Sequence, residues 1–186
     1  MCGIVGAVSQ RDITGVLIKG LQRLEYRGYD SAGIAVVAAD HGFERRRTQG
    51  KVKNLDELIR AQPLSGQCGV AHTRWATHGV PSEKNAHPHR CNEITLVHNG
   101  IIENFESLRK KQLELGHEFD SETDTEVIVH AIDDEYKKSK DLLTSVQKTV
   151  ESLQGAYALG VLEKGNNNHM VAVRKGSPLV IGIGNN

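Results

Sequence analysis

The chain has 186 residues, the size of one domain, and its 23 Lys plus Arg offset 23 Asp plus Glu to a formal net charge of zero. That balance argues against a general nucleic-acid binder, and an aromatic content of 4% leaves few rings for base stacking. Three cysteines with no C-x-x-C do not make a disulfide framework, so a reducing, cytoplasmic setting is expected.

The N-terminus MCGIVGAVSQRD has no basic leader, and no apolar run in the chain reaches the roughly 18 residues of a membrane span. Residues 3–9 are apolar and β-branched and read as a buried strand. Asp12 is placed to cap a helix with Ile13, Val16, Leu17, Leu21 and Leu24 at helical spacing and Gly28 as its stop. Residues 32–38 read as a second buried strand and 43–49 as an exposed one. Asn54 and Glu57 form a capping pair for a short helix ending near Ala61. Residues 69–73 and 93–97 read as strands. The stretch between them, 74–92, lacks periodic apolar residues, and a loop that long in a compact domain commonly binds or covers a ligand. Residues 105–115 read as a helix stopped by Gly116. Thr123 and Glu126 make a T-x-x-E capping box for TEVIVHAIDDEY, which leaves Asp124 in the first helical turn. A further amphipathic helix covers 141–153. Residues 156–162, 170–174 and 179–183 read as three closing strands. Helices alternate irregularly with hairpin-like strands, which predicts an α+β class.

Position 2 carries the first chemical signal. An initiator methionine is normally trimmed before a small residue, which leaves Cys2 with both a thiol and a free α-amine. The thiolate is a strong nucleophile, and an amine titrating near ~8 can serve as its base. One residue then fills two roles, as in the N-terminal variants of the catalytic triad. The alternative is a small apolar residue in a buried strand. The flanking CGIVG favours the nucleophile, because glycines let a ligand approach the thiol. In HNG (98–100) the Asn99 amide and the Gly100 N–H suit an oxyanion hole, or else make an Asn-Gly turn. In HTRWATHG (72–79) Arg74 suits a carboxylate and Trp75 an apolar lid, or the stretch is a plain surface loop. Asp124 faces a ligand ammonium or complements the helix macrodipole. Arg27 braces the catalytic turn or solvates its loop. His72, His78, His87, His89 and His98 lie close in sequence but lack ligand spacing, so no metal and no cofactor is expected. Arg45–Arg46–Arg47 and Lys110–Lys111 read as solvated faces.

Taken together, MCGIVG, LEYRGYDSAG, AHTRWATHG with PSEKNAHPH, HNGIIEN, SETDTEV, LQGAYAL and GSPLVIG resemble the N-terminal glutaminase domains of the glucosamine-6-phosphate synthase family, within the class II glutamine amidotransferases. The resemblance implies a four-layer α–β–β–α sandwich of two antiparallel sheets, the N-terminal nucleophile hydrolase fold. It implies hydrolysis of L-glutamine to glutamate and ammonia through a Cys2 thioester. Asn99 and Gly100 match the oxyanion hole. Arg74, with Thr77 and His78 backbone groups, matches the carboxylate anchor. Asp124 matches the ammonium acceptor, Trp75 the closing loop and Arg27 a brace at the terminus. Family members continue past Asn186, so 1–186 is expected to be a glutaminase domain without its last strands and isomerase domains. The isomerase domains are the expected covalent partner, in a homo-oligomeric full-length enzyme without nucleic-acid or membrane partners. Val80 stands where the family often has an acid. Two other readings use the same residues: a non-catalytic glutamine-sensing module, favoured if Met1 is retained, and a zinc module.

Overall fold

Successive strand residues face opposite sides of a sheet, and on the inner strand Ser31–Val37 both sides are buried. The computed structural model describes residues 2–27, 29–38, 40, 42–76 and 78–184, with Arg27 described by its backbone alone. Strands β1 (Gly3–Val8), β2 (Ser31–Val37), β3 (Phe43–Gln49) and β4 (Cys68–Arg74) form one antiparallel sheet in the order β1-β4-β2-β3. Strands β5 (His89–Cys91), β6 (Ile94–Ile102), β7 (Gly155–Glu163) and β8 (Val171–Lys175) form a second, in the order β5-β6-β7-β8.

On β2, Ala32, Ile34 and Val36 pack with Leu17 and Leu21 of α1 (Thr14–Leu24) and Leu55 of α2 (Val52–Ala61). Ala35 and Val37 face the other way and meet Val70, Val97 and Leu162 between the sheets. The second sheet repeats the scheme. Leu96, Ile102, Leu159 and Val161 pack on Ile128 and Ile132 of α4 (Glu126–Ser139) and Val146 of α5 (Leu142–Ser152). The result is helices, sheet, sheet, helices: the expected α+β sandwich, with three apolar layers of contact. Each fully buried Leu or Ile contributes about 1.5–3 kcal/mol to holding it together. Helix α3 (Phe105–Glu114) docks through Gln112, whose Nε2 donates to Val127 O at 2.8 Å.

Several local expectations are corrected, and the cause is mostly a tertiary partner. Helix α1 starts after Ile13, one residue later than a cap at Asp12 implies; the Asp12 carboxylate still accepts from the first helical amide, Thr14 N, at 3.5 Å, and from Thr14 Oγ1 at 2.9 Å and Gly66 N at 3.0 Å, tying the helix entry to the approach to β4. The helix ends at Leu24 with a 3₁₀ turn, Glu25–Arg27, and Gly28 lies outside the described residues. Asn54 lies inside α2, whose first amide, Val52 N, is met by Glu25 Oε1 at 2.8 Å. Helix α4 starts after Thr125, so Thr123 is no cap and Asp124 precedes the helix. Glu126 turns back to accept from Asp120 N at 2.8 Å and Ser121 N at 2.7 Å. Burial opposes the charge on Glu126, yet these hydrogen bonds and the nearby His130 ring hold its carboxyl down to about 2. Helix α5 starts as expected, and Asp141 caps it by accepting from Thr144 N at 2.8 Å. Strand β6 continues to Ile102, so HNG is strand and not turn. Residues 179–183 form no strand, and Val180, Ile181 and Ile183 are 91%, 80% and 97% exposed.

The arginine run is not a solvated face either. Alternation sends Arg46 to one side, where it donates to Gln62 O at 3.0 Å. Arg45 and Arg47 go to the other side and donate to Pro88 O at 3.0 Å and Ala86 O at 3.0 Å. They strap residues 84–88 across β2. Gly33 lies beneath the strap, where a Cβ would stand 2.0 Å from His87 O. Gly33→Ala therefore lifts the strap and costs about 1–3 kcal/mol or more. Thermal unfolding checks this, and an unchanged Tm contradicts it.

Candidate functional site

Antiparallel pairing sets Gly3 opposite Thr73, and Gly3 N donates to Thr73 Oγ1 at 3.1 Å. A Cβ at Gly3 would sit 2.9 Å from both Leu24 Cδ1 and Thr73 Oγ1, so the close approach needs glycine. The register brings Cys2 to the end of β4, where Trp75 N donates to its Sγ at 3.2 Å. Burial pushes the Cys2 thiol up, and the Trp75 amide offsets this only in part. A thiol raised in this way needs a base to become a nucleophile.

Cys2, Arg74, Trp75, His78, Gly100 and Asp124 line one cleft, together with His87, His98, Thr123 and Thr125. Asn99 sits beside it on β6, half-buried, but is not part of the lining. Thr77 and the Arg27 side chain lie outside the described residues. The cleft is closed to a free volume of about 10 Å³, about the limit for one water. A larger pocket, about 340 Å³, lies at Asp12, Gly66, Gln67 and Asn167 and contains none of the expected catalytic groups.

Gly100 has φ +144°, and a Cβ there would stand 2.2 Å from Ala156 O. Only glycine fits, which leaves bare backbone at the cleft wall. Asp124 Oδ2 accepts from Ile102 N at 2.9 Å, while Oδ1 stands 3.9 Å from His78 Nδ1 and 3.8 Å from His98 Nδ1. Arg74 is 3% exposed. Its Nη1 donates to Asp30 Oδ1 at 3.3 Å and Val80 O at 3.4 Å, and its Nη2 to Gly79 O at 2.9 Å and to His78 O. Both terminal nitrogens are thus occupied by the loop that follows β4. Trp75, on that loop, is 51% exposed.

Asp30 escaped sequence reasoning. Its N–H donates to Arg74 O at 2.7 Å, and its carboxylate accepts from Ala76 N as well as from Arg74. An acid ahead of a buried strand is ordinary, so no signal marked it beyond its place in YRGYDSAG. The histidines also behave differently from exposed loop residues. His72 and His87 stack with centroids 4.1 Å apart, and His89 meets His87 edge-on at 4.7 Å. His72 Nε2 lies 2.8 Å from His98 O, so that nitrogen carries the hydrogen. One hydroxyl, Thr125 Oγ1, bridges His87 Nε2 at 2.8 Å and His98 Nδ1 at 2.9 Å. Burial holds His72 and His89 down to about 3 and also lowers His87 and His98. Among the described residues no His, Cys, Asp and Glu group is arranged to hold a metal ion.

Residues 72–183 match the family described as glutamine amidotransferase domain. A protein of Legionella pneumophila (strain Lens) named glutamine–fructose-6-phosphate aminotransferase (isomerizing) is 57% identical over 185 residues, covering 99% of this chain and 31% of the relative. Its namesake from Aliivibrio fischeri is 56% identical over 184 residues, covering 99% and 30%. This chain thus spans about a third of the length of these relatives. Among solved structures, glutamine phosphoribosylpyrophosphate amidotransferase from B. subtilis, complexed with ADP and GMP, matches with a TM-score of 0.77 at 23% identity, over 94% of this chain and 37% of that one. A structure described as the allosteric regulatory enzyme of purine biosynthesis matches with a TM-score of 0.74 at 25% identity, over 87% and 35%.

The buried histidines make stability depend on pH. Below the ordinary histidine value of about 6.5, the unfolded chain takes up protons that the folded rings refuse, so stability falls as pH falls. Glu126 acts lower: its contribution is complete above the ordinary glutamate value of about 4.5 and is lost only below it. Tm is therefore expected to drop between about pH 7.5 and 5.5, a window that belongs to histidine. Equal values of Tm at those two pH values contradict the neutral cluster.

Proposed function

The chain belongs to the glutamine amidotransferase domain family, and on that premise we propose that it hydrolyses the side-chain amide of L-glutamine to glutamate and ammonia. The observation that carries this reading is the single cleft shared by Cys2, Arg74, Gly100 and Asp124. Glutamine has one carboxylate, one ammonium and one amide. The cleft offers one guanidinium, one carboxylate and one thiol beside bare backbone.

Cys2 Sγ bonds to the amide carbon, and its proton passes to the Cys2 α-amine freed by removal of Met1. The tetrahedral oxyanion is met by the Gly100 N–H and the Asn99 side-chain amide, the latter from its place next to the cleft. The C–N bond then breaks, and ammonia leaves with the proton held by the amine. Water cleaves the thioester, which returns glutamate and the thiol. Arg74 holds the substrate carboxylate, with Thr77 and His78 backbone groups beside it. Asp124 holds the ammonium. Trp75 covers the site, and Arg27 braces the terminus. Because the Arg74 terminal nitrogens already serve carbonyls of residues 78–80, the incoming carboxylate exchanges with some of these. Substrate entry and loop movement are then one event.

In a longer protein of the relatives' kind, the ammonia serves the conversion of fructose 6-phosphate to glucosamine 6-phosphate on isomerase domains, in a cytoplasmic homo-oligomer. The relatives' shared name supports this reading, and no helix among the described residues is long and apolar enough to cross a membrane.

Cys2→Ala is expected to abolish glutamate release, and a glutamine-like electrophile is expected to add its mass at Cys2 after loss of Met1. Peptide mass spectrometry reads both, and labelling at Cys68 or Cys91 instead overturns the assignment. Asp124→Asn keeps an acceptor for Ile102 N and removes only the charge. It is expected to raise KM for glutamine about 10- to 100-fold, as for loss of a charged hydrogen bond. Steady-state kinetics with an unchanged KM would remove Asp124 from the ammonium site.

A further inference from the structure

Two side chains outside the expected set hold the far end of the loop that follows β4. Asn85 is 2% exposed. Its Nδ2 donates to Val80 O at 2.9 Å and to Glu122 Oε2 at 2.9 Å. Its Oδ1 accepts from Glu122 N at 3.0 Å. Glu122 Oε2 in turn accepts from Val80 N at 3.3 Å. Every polar atom of the Asn85 amide is used, and the Val80 backbone is gripped through both its N–H and its C=O.

The neighbouring residue fits the same clamp. Gly79 has φ +76°, and a Cβ there would stand 2.7 Å from Asn85 Nδ2 and 2.9 Å from Glu122 Cβ. The two sides of the clamp differ in firmness. Asn85 belongs to the strap, which Arg47 pins through Lys84 O at 3.2 Å and Ala86 O at 3.0 Å. Glu122 is two residues before Asp124, in the segment that Glu126 anchors through Ser121. Residues 76 and 78–80, by contrast, have no regular secondary structure, and side chains meet the Ala76 N–H, the His78 and Gly79 carbonyls and both backbone groups of Val80. The clamp joins that segment, which has no ladder of its own, to the residues leading to Asp124.

We propose that Asn85 and Glu122 are the latch of this loop: positioning residues that hold it over the filled cleft and so set how readily glutamine displaces it, without touching the reacting atoms. The proposal rests on the glutaminase reading above. Cys2, Asn99 and Gly100 lie on other elements, so the latch acts on binding rather than on bond breaking.

The test uses Glu122→Ala, Glu122→Gln and Asn85→Ala, with glutaminase kinetics and hydrogen exchange of the peptide containing Val80. Glu122 is exposed, so its variants keep the fold even if Asn85→Ala does not. Both alanine variants are expected to lower KM up to about tenfold with kcat within about twofold, and to speed exchange at the loop about tenfold. Glu122→Gln keeps an acceptor oxygen and is expected to behave like the parent protein. Unchanged KM and unchanged exchange in Glu122→Ala overturn the latch, as does a raised KM or a fall in kcat alone. If the parent protein releases no glutamate, the glutaminase reading fails, while exchange at Val80 still decides whether Asn85 and Glu122 hold the loop.

Discussion

With β1 laid against β4 and Gly3 opposite Thr73, the first residues of the chain have one place to go. Leu24 and Thr73 leave no room for a side chain at Gly3, so the terminal strand seats at van der Waals distance. The next residue outward then meets the turn where β4 ends. That contact puts a thiol against the Trp75 amide at 3.2 Å and beside a buried guanidinium. A terminus is ordinarily the least ordered part of a domain. Here a complete antiparallel ladder and a glycine contact hold it, and the cleft is assembled around the held end.

The rest of the site is built by polar side chains reaching main-chain groups. Arg74 and Asp30 meet the start of the loop, Asn85 and Glu122 its end, and Arg45 and Arg47 the strap beside it. Loops without ladder partners leave donors and acceptors that must be met inside a packed structure. Ionised or amide side chains meet them here, and each also holds a segment that carries a residue of the cleft. In the cleft wall and behind it, the buried histidines take a different course. They are packed as neutral rings, sharing one threonine hydroxyl and one strand carbonyl.

Patterns with a fixed period were legible in the sequence. Helical spacing of Leu17 and Leu21 identified the face of α1, and the apolar runs 32–38 and 93–97 read as strands, although the second goes on through HNG to Ile102. The start of α5 was legible from its amphipathic spacing, and its cap, Asp141, has a local partner in Thr144. Asn54 and Thr123 misled because distant or reversed partners displaced them: Glu25 met the α2 amide, and Glu126 turned back to Asp120 and Ser121. A capping motif records only what a side chain can do nearby. Arg45, Arg46 and Arg47 show the same limit, since their alternation was readable but the carbonyls waiting on each side were not. For the cleft, Cys2 stood out by chemistry alone, while Arg74 and Asp124 became specific through family resemblance. Asp30 and Asn85 carry no motif, because their partners are backbone atoms, which every sequence has.

Strand β3 closes one side of its sheet, and an outer strand offers its unpaired backbone to any other extended chain. Three guanidinium groups in a row change what that strand can accept. Because Arg45, Arg46 and Arg47 point alternately to both faces, a second copy laid edge to edge would set like charges against one another above and below the new sheet. The residues that fasten the loops therefore also guard the protein against templated aggregation.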